Sequence, residues 1–233
     1  MSLKEILFST MNAFNCLMKW FPLNMKEPLS LINMFMFWSW FIIIFYNYFK
    51  TIFLGPSFLR KRWRPKNKED EKYLQYCTIC QGFKTSQAYH CRKCGRCISK
   101  FDHHCPWMNT CIGHVNQTNF CWFLFYSILG CLHALLMISP CVYRVLFIPY
   151  SSLRINEPRI YFTLTGLISS ILTLGFTIGV IIAVGLLLII QIKNIICNHR
   201  RLKSFIYPYN LGFKENICQL FNRIDYFNLI TDG

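Results

Sequence analysis

Long stretches without charged residues alternate with short polar ones along this chain. Leu29 to Phe49, Asn119 to Tyr143 and Ile160 to Ile192 contain no Lys, Arg, Asp or Glu. Each stretch exceeds the roughly 18 uncharged residues that make a helix across a hydrocarbon core of about 30 Å plausible. A buried helix of a soluble protein is the alternative, but these lengths, with charged residues at the edges, favour three membrane-spanning helices.

A shorter apolar stretch, Ile6 to Met18, precedes these three and is followed at once by Lys19. A frayed first helix, an interfacial segment and the remnant of a helix all fit it. A secretory signal peptide fits poorly, because Asn12 and Asn15 interrupt the stretch and no small-residue cleavage site follows. The pattern indicates a partial first membrane helix.

Composition supports a membrane protein, since 54% of the 233 residues are hydrophobic and 17% are aromatic. We expect a mainly α-helical integral membrane protein with three to four transmembrane helices and a small cytosolic cysteine-rich domain between the second and third. No internal repeat is apparent. The expected divisions are an N-terminal segment with a short first helix at 1–28, transmembrane helices at 29–54, 119–143 and 160–192, the cytosolic domain at 55–118 and a cytosolic tail at 193–233.

The formal net charge of +15 is unevenly placed. Twelve Lys and Arg residues lie between Gly55 and Thr118 and six follow Ile192, whereas only three lie between the last two apolar stretches. Because Lys and Arg are enriched in cytoplasmic loops, the middle loop and the tail are predicted to be cytosolic. Nucleic acid is a conceivable partner for a basic chain. A basic surface beside membrane spans is better explained by the anionic headgroups of the lipid bilayer, so we expect no nucleic-acid partner.

Seven of the thirteen cysteines lie between Cys77 and Cys111, in the loop assigned to the reducing cytosol. Disulfides are rare there, so metal binding is the better explanation. Two cysteines separated by two residues can bind one zinc ion, and two such pairs imply two ions. The candidate ligands in this loop are Cys77, Cys80, His90, Cys91, Cys94, Cys97, His103, His104, Cys105 and Cys111.

Two tetrahedral zinc sites need eight ligands, which leaves two of the ten candidates for other work. The run Asp102-His103-His104-Cys105 suggests what that work is. A thiolate is the attacking form of cysteine, an imidazole can take its proton, and a carboxylate can hold the imidazole tautomer. We expect one of the two adjacent histidines to bind metal and the other to act as a base.

The run from Cys77 to Phe120 resembles the cysteine-rich domain of the DHHC palmitoyltransferase family. The matching residues are His90-Cys91-Arg92-Lys93-Cys94, Asp102-His103-His104-Cys105-Pro106-Trp107, Asn109, Cys111, Gly113 and Asn116. The resemblance implies that one structural zinc ion is bound by Cys77, Cys80, His90 and Cys97, and a second by Cys91, Cys94, His104 and Cys111. His103 and Cys105 then remain outside the metal sites.

The resemblance also implies a reaction of two acyl transfers. Cys105 is expected to be the nucleophile, with His103 as its base and Asp102 orienting the ring. Palmitoyl-CoA would supply the acyl group, and membrane-associated proteins with cytosolic cysteines would accept it. Zinc sites closed by four protein ligands have no open position for a reacting water, so the two zinc ions are expected to be structural.

Contacts to the acyl-CoA are less strongly indicated. Trp107 is expected to anchor the loop at the membrane interface or to pack against a span. Gly130, about three turns into the next span, leaves room for the end of an acyl chain, although helix packing is the commoner role of such a glycine. Candidates for the phosphates of the coenzyme, with ordinary solvated charges as the alternative, are Lys84, Arg92, Lys93 and Arg96.

Outside the cysteine-rich run the likeness is looser. Tyr46-Asn47-Tyr48-Phe49, Gly55-Pro56 and the run 207–212 are most like an endoplasmic-reticulum member of the family, so a multi-pass protein of the endoplasmic reticulum or Golgi is expected. Asn216 fits an asparagine of the family's C-terminal motif, where it is expected to support the active site by hydrogen bonding. The family's Asp-Pro-Gly motif is replaced by Leu54-Gly55-Pro56, and no Thr-Thr-x-Glu motif follows the last span.

Two other classes of function are compatible with parts of the sequence. The missing Thr-Thr-x-Glu motif supports a non-catalytic zinc-binding membrane adaptor that partners an active relative. A transporter or channel is disfavoured, because the three long apolar stretches contain no Asp, Glu, Lys or Arg and only one His, His133.

Overall fold

The computed structural model describes residues 28–85, 87–147, 164–196 and 212–221. The possible first membrane helix at Ile6 to Met18 lies outside the described residues. The helices are α1 (Pro28–Leu54), a 3₁₀ helix (Lys68–Tyr73), α2 (Gln117–Phe147), α3 (Leu164–Ile196) and α4 (Phe213–Phe221). The strands are β1 (Gln75–Cys77), β2 (Gly82–Lys84), β3 (Tyr89–Cys91), β4 (Arg96–Ile98), β5 (His103–Cys105) and β6 (Thr110–Ile112).

Within the described residues, three helices are long and apolar enough to cross a membrane: α1 from Leu31, α2 as far as Ser139, and α3 over its whole length. Large apolar side chains cover their outer surfaces, with Phe53 82% and Leu172 68% exposed, as a hydrocarbon environment requires. The predicted class, a mainly helical multi-pass membrane protein with a cysteine-rich domain between its spans, is confirmed. Among the described residues, that domain lies between the first and second of the three spans.

The described chain divides into two compact units. The first contains α1 up to Ile44 and the parts of α2 and α3 between Leu124 and Leu187. Within it, a Cβ placed on Gly130 would lie 3.2 Å from Cδ1 of Ile44 and 3.6 Å from Cβ of Trp40. The glycine therefore allows α2 to lie close against α1.

The second unit contains residues 45–123 and the chain from Leu188 onward, as far as it is described. Its centre is three antiparallel two-stranded hairpins, β1–β2, β3–β4 and β5–β6. Each strand has three residues, and the buried apolar side chains are few, chiefly Leu59, Ile98 and Ile112. Hairpins this short are not stable by themselves, so other cross-links must hold them.

The segment that follows α1 provides one such cross-link. Phe58 forms a bridge with Ile98 of β4, and the Leu59 N–H donates to the Cys97 carbonyl over 2.8 Å. Farther along, the Phe83 N–H donates to the Trp63 carbonyl over 2.9 Å. This segment thus adds backbone pairing to the first two hairpins.

Asn116 provides a second cross-link, at the third hairpin. Its side chain is fully buried, and Oδ1 accepts the Gly113 N–H over 2.9 Å. Its Nδ2 donates to the carbonyls of Thr51 (3.2 Å) and Cys111 (2.9 Å). One amide therefore fixes the end of α1 to β6 and to the start of α2.

Candidate active site and zinc sites

Two groups of four side chains in the hairpins are arranged to bind metal. They are Cys77, Cys80, His90 and Cys97, and Cys91, Cys94, His104 and Cys111. Within each group the ligand atoms all lie within 4.8 Å of one another. These are the two sets that the family resemblance implies.

The distances fit tetrahedral zinc. Nδ1 of His90 lies 3.3 to 3.8 Å from the three sulfurs of its group, and Nδ1 of His104 lies 3.4 to 3.7 Å from those of the other. Metal–ligand bonds of about 2.0–2.3 Å place neighbouring ligands of a tetrahedral site roughly 3.5–3.8 Å apart. Both groups can therefore bind a zinc ion.

The hairpin architecture explains how the ligands converge. Each group takes two cysteines from the turn of one hairpin and a directly opposed pair from the next. These opposed pairs are His90 with Cys97 and His104 with Cys111. Side chains opposed across an antiparallel pair lie on the same face with their Cβ atoms close together. Metal at each site would thus join consecutive hairpins.

The thiols of these groups also favour a bound cation. Burial raises the pKa of Cys111, and the adjacent sulfurs of Cys91 and Cys94 raise it further. Burial likewise raises the pKa of Cys97, with added effects from Cys77 and Cys80. Several buried thiols side by side cannot all ionise unless a divalent cation balances their charge. The donor set therefore fits zinc.

The three hairpins form a repeat, contrary to the expectation from the sequence. Cys77, Cys91 and Cys105 each precede a four-residue turn and follow one another at intervals of fourteen residues. The turns end in left-handed residues, Gln81 (φ 53°), Gly95 (φ 64°) and Asn109 (φ 50°). The repeat is hidden in the sequence because its turns share little besides cysteine.

The third turn differs in one position that decides its chemistry. Where the first two hairpins have Cys80 and Cys94, the third has Met108, which is 4% exposed. A thioether is a much weaker ligand for zinc than a thiolate. Cys105 therefore lacks the second cysteine that completes a metal-binding turn.

Alternation along β5 separates the two adjacent histidines. Successive residues of a strand point to opposite faces, so His103 and Cys105 share one face while His104 turns to its metal group. The His103 ring interacts with the Cys105 thiol and lowers its pKa. Its Nδ1 lies 2.8 Å from Oδ2 of Asp102. The predicted nucleophile, base and orienting carboxylate thus form one connected group.

The electrostatics of this group favour an ion pair. Burial opposes ionisation of Cys105, yet the His103 hydrogen bond, the backbone N–H groups of Met108 and Trp107 and the charge of His103 together lower its pKa. Burial also opposes protonation of His103, but Asp102 and Cys105 outweigh it and raise the His103 pKa to about 9. A thiolate beside an imidazolium is the form that attacks carbonyl carbon.

Sequence reasoning missed several residues around this group. Gln191 of α3 is 1% exposed, and its Nε2 donates to Oδ2 of Asp102. The Phe120 ring meets the His103 ring edge-on with centroids 5.5 Å apart. The Tyr48 hydroxyl donates to the Trp107 carbonyl over 3.2 Å. The only available signal was a polar amide within an apolar stretch, as at Gln191.

The residues predicted to contact acyl-CoA have varied surroundings. Lys84 donates to Oε1 of Gln75 and to the Ala88 carbonyl, both over 2.9 Å. The Arg96 guanidinium lies 4.8 Å from the centre of the Phe58 ring. By contrast, the side chains of Arg92, Lys93 and Trp107 are exposed.

Comparison with known proteins identifies the family. The profile of DHHC palmitoyltransferases matches residues 70–204, more than half of the chain. The chain belongs to the DHHC palmitoyltransferase family. It is 36% identical to "Palmitoyltransferase ZDHHC6" of Mus musculus and 34% identical to that of Homo sapiens, in each case over 91% of this chain. It spans 59% of the length of those two relatives.

A plant relative is more distant. This DHHC protein is 27% identical to "Probable protein S-acyltransferase 16" of Arabidopsis thaliana, over 88% of this chain and 77% of the relative. The family membership expected from the sequence is confirmed.

Asn216, matched to the family's C-terminal motif, lies in the first turn of α4 in this DHHC protein. It is 1% exposed, and its Nδ2 donates to the Ile196 carbonyl over 2.6 Å. The last carbonyl groups of a helix have no partner within the helix. Asn216 therefore caps α3 at the end that carries Gln191.

Proposed function

We propose that this DHHC protein is a protein S-palmitoyltransferase. It transfers a long-chain acyl group from acyl-CoA to Cys105 and then to cysteines of membrane-associated proteins. The observation that carries the proposal is that Cys105 occupies a metal-binding type of turn without its second cysteine and instead contacts His103, which Asp102 holds.

In the first transfer, the Cys105 thiolate attacks the carbonyl carbon of the acyl-CoA thioester. A bond forms between that carbon and the Cys105 sulfur, and the bond to the coenzyme sulfur breaks. The coenzyme leaves as a thiolate and takes a proton from the His103 imidazolium, whose charge Asp102 has balanced. The product is acyl-Cys105 with a neutral His103.

In the second transfer, the acceptor cysteine gives its proton to His103 and attacks the acyl carbon. Cys105 leaves as a thiolate and the starting ion pair is restored. One thioester replaces another in each step, so the chain supplies positioning and a nucleophile held in its reactive form.

Zinc at the two four-ligand groups would hold the hairpins together and take no direct part in the transfers. Arg92 and Lys93, exposed on the second turn, are proposed together with Lys84 and Arg96 to attract the coenzyme phosphates. Trp107 is proposed to contact the membrane interface, and Gly130 the end of the acyl chain. We place the hairpins on the cytosolic face of the membrane, from the distribution of Lys and Arg. The looser sequence likeness to an endoplasmic-reticulum member of the family supports an endoplasmic-reticulum or Golgi membrane.

Incubation of the purified full chain with labelled palmitoyl-CoA tests this function. We expect a hydroxylamine-sensitive label that Cys105→Ser abolishes. Cys131→Ser, which removes a thiol of α2, is the matched control and should retain the label. A chain that binds zinc but takes up no hydroxylamine-sensitive label would instead be a membrane adaptor.

A further inference from the structure

Three side-chain amides form a chain of contacts that ends at the Asp102 carboxylate. Nε2 of Gln191 donates to Oδ2, and Nδ2 of Asn194 lies 3.4 Å from Oδ1. Gln117, the first residue of α2, donates from Nε2 to Oε1 of Gln191 over 3.4 Å. Gln117 and Gln191 are both buried.

The orientation of the Gln191 amide follows from its partners. An ionised carboxylate can only accept hydrogen bonds, so the NH₂ group of Gln191 must face Asp102. Its oxygen then faces Gln117, which offers an N–H donor. The amide cannot turn over without placing its oxygen against the carboxylate.

Gln191 and Asn194 lie three residues apart in α3, on the same side of the helix. Between them they contact both oxygens of Asp102. A carboxylate held at both oxygens has a fixed plane, and Oδ2 remains directed at Nδ1 of His103. A buried amide in a membrane span is costly unless it is hydrogen-bonded, which indicates a specific task.

We propose that Gln191 is a positioning residue for the Asp102–His103–Cys105 group, acting through Asp102 with Asn194 as its auxiliary. The proposal rests on the acyl-transfer function proposed above. Gln191 touches neither Cys105 nor an acyl group in this role. It holds the Asp102 carboxylate in place, and that carboxylate orients the His103 imidazole.

The test measures two reaction rates of Cys105 in the full detergent-solubilised chain. One is the rate of alkylation by iodoacetamide at pH 7, and the other is the rate of acylation by palmitoyl-CoA in a single turnover. Gln191→Leu removes the amide, and Gln191→Glu keeps the length but cannot donate when ionised. Since a hydrogen bond to a charged group is being removed, we expect both variants to slow both rates about tenfold. Zinc content and melting temperature report whether each variant is folded.

Thr177→Val is the matched control, because Thr177 is a buried polar residue of the same helix whose hydroxyl donates to the Thr173 carbonyl over 2.7 Å. It should leave both rates unchanged. A double-mutant cycle then separates positioning from general support. In an Asp102→Asn background, Gln191→Leu should slow neither rate by more than about twofold, because the residue through which it acts is already altered.

Unchanged rates in Gln191→Leu and Gln191→Glu would overturn the proposal, and so would a full tenfold loss added to that of Asp102→Asn. Alkylation needs no acyl donor. A chain that is never acylated, but whose Cys105 alkylation depends on Gln191, would sink the proposed function and leave this inference standing.

Discussion

Oδ2 of Asp102 lies 2.8 Å from Nδ1 of His103, and the two side chains are only 10% and 22% exposed. Because Asp102 occupies Nδ1, the other ring nitrogen is the one available to Cys105. The reactivity of Cys105 should therefore depend on a carboxylate that it does not touch.

The first prediction concerns pH. Above the lowered pKa of Cys105 and up to the His103 pKa of about 9, the pair is a thiolate and an imidazolium. Acylation should fall as pH drops through the Cys105 pKa, since protonation removes the nucleophile. Asp102→Asn removes the anion that supports the imidazolium, so it should move this acidic fall to higher pH. The rate at pH 7 should drop roughly 10²-fold, the scale of assisted proton transfer.

Single-turnover acylation and Cys105 alkylation, each measured between pH 5 and 9 (about the range in which imidazole and activated thiols titrate), check this prediction. Asp70→Asn is the control, because Asp70 is an exposed acid of the 3₁₀ helix. An acidic limb that stays in place in Asp102→Asn would show that Asp102 does not act on the pair.

Sequence patterns were sufficient for the membrane spans and for the sets of candidate ligands. The apolar stretches identified α1, α2 and α3 because lipid exposure imposes a length and a composition on each helix. The roles of His103 and His104 needed the family resemblance, because adjacent histidines in a sequence look equivalent. Their separation comes from the alternation of β5, a strand of only three residues.

Gln191 shows what the sequence could not provide. It lies 89 residues from Asp102, and no periodic pattern predicts contacts over such a separation. The apolar stretch was expected to end at Ile192, whereas α3 continues to Ile196. That continuation places Asn194 on the helix, one turn after Gln191, beside the carboxylate.

The second prediction distinguishes the two metal groups. His104 and Cys111 belong to the hairpin that carries Cys105, while Cys77 and Cys80 belong to the first hairpin. Cys111→Ser should remove one zinc ion and abolish acylation, because the hairpin that carries Cys105 would lose its metal cross-link. Cys80→Ser should also remove one zinc ion but retain measurable acylation, since the first hairpin still pairs with Trp63 and Arg62.

Zinc measured per chain by atomic emission, together with single-turnover acylation, checks the second prediction. Cys131→Ser, outside both groups, is the control and should change neither quantity. Equal loss of acylation in Cys80→Ser and Cys111→Ser would contradict the assignment of separate tasks.

The third prediction concerns Gly82, where the segment that follows α1, here called the linker, crosses the first hairpin. A Cβ there would lie 2.8 Å from the Trp63 nitrogen and 3.1 Å from the Arg62 nitrogen. Both are backbone atoms of a segment that is held in place: the Arg62 N–H donates to the Cys80 carbonyl, and the Trp63 carbonyl accepts from the Phe83 N–H. They cannot move aside cheaply. Gly82→Ala should destabilise the hairpins by about 1–3 kcal/mol, as overpacking does. Release of zinc to a chelator should be faster.

Chelator competition and thermal unfolding measure the effect of Gly82→Ala. Gly185→Ala is the control, because a Cβ at Gly185 meets nothing within 4 Å. It should leave zinc release unchanged. If Gly82→Ala released zinc no faster than the unmodified chain, the close approach of the linker would not matter for the metal groups.

The fourth prediction follows from the hairpin repeat. Cys105 has the place of Cys77 and Cys91, and Met108 has the place of the second cysteine of each earlier pair. Met108→Cys would create a Cys-x-x-Cys turn beside His103. Its two cysteines and His103 are three ligands of the types that zinc prefers. We expect acylation of this variant to be inhibited by added zinc and recovered on mild chelation, because the metal would occupy the nucleophile.

Met108→Leu is the control. It keeps the apolar volume, so it should lower the free energy of unfolding by less than about 1.5 kcal/mol and leave acylation insensitive to zinc. Metal titrations of single-turnover acylation in both variants decide the matter: equal zinc sensitivity in Met108→Cys and Met108→Leu would mean that something other than the missing cysteine keeps Cys105 free of metal.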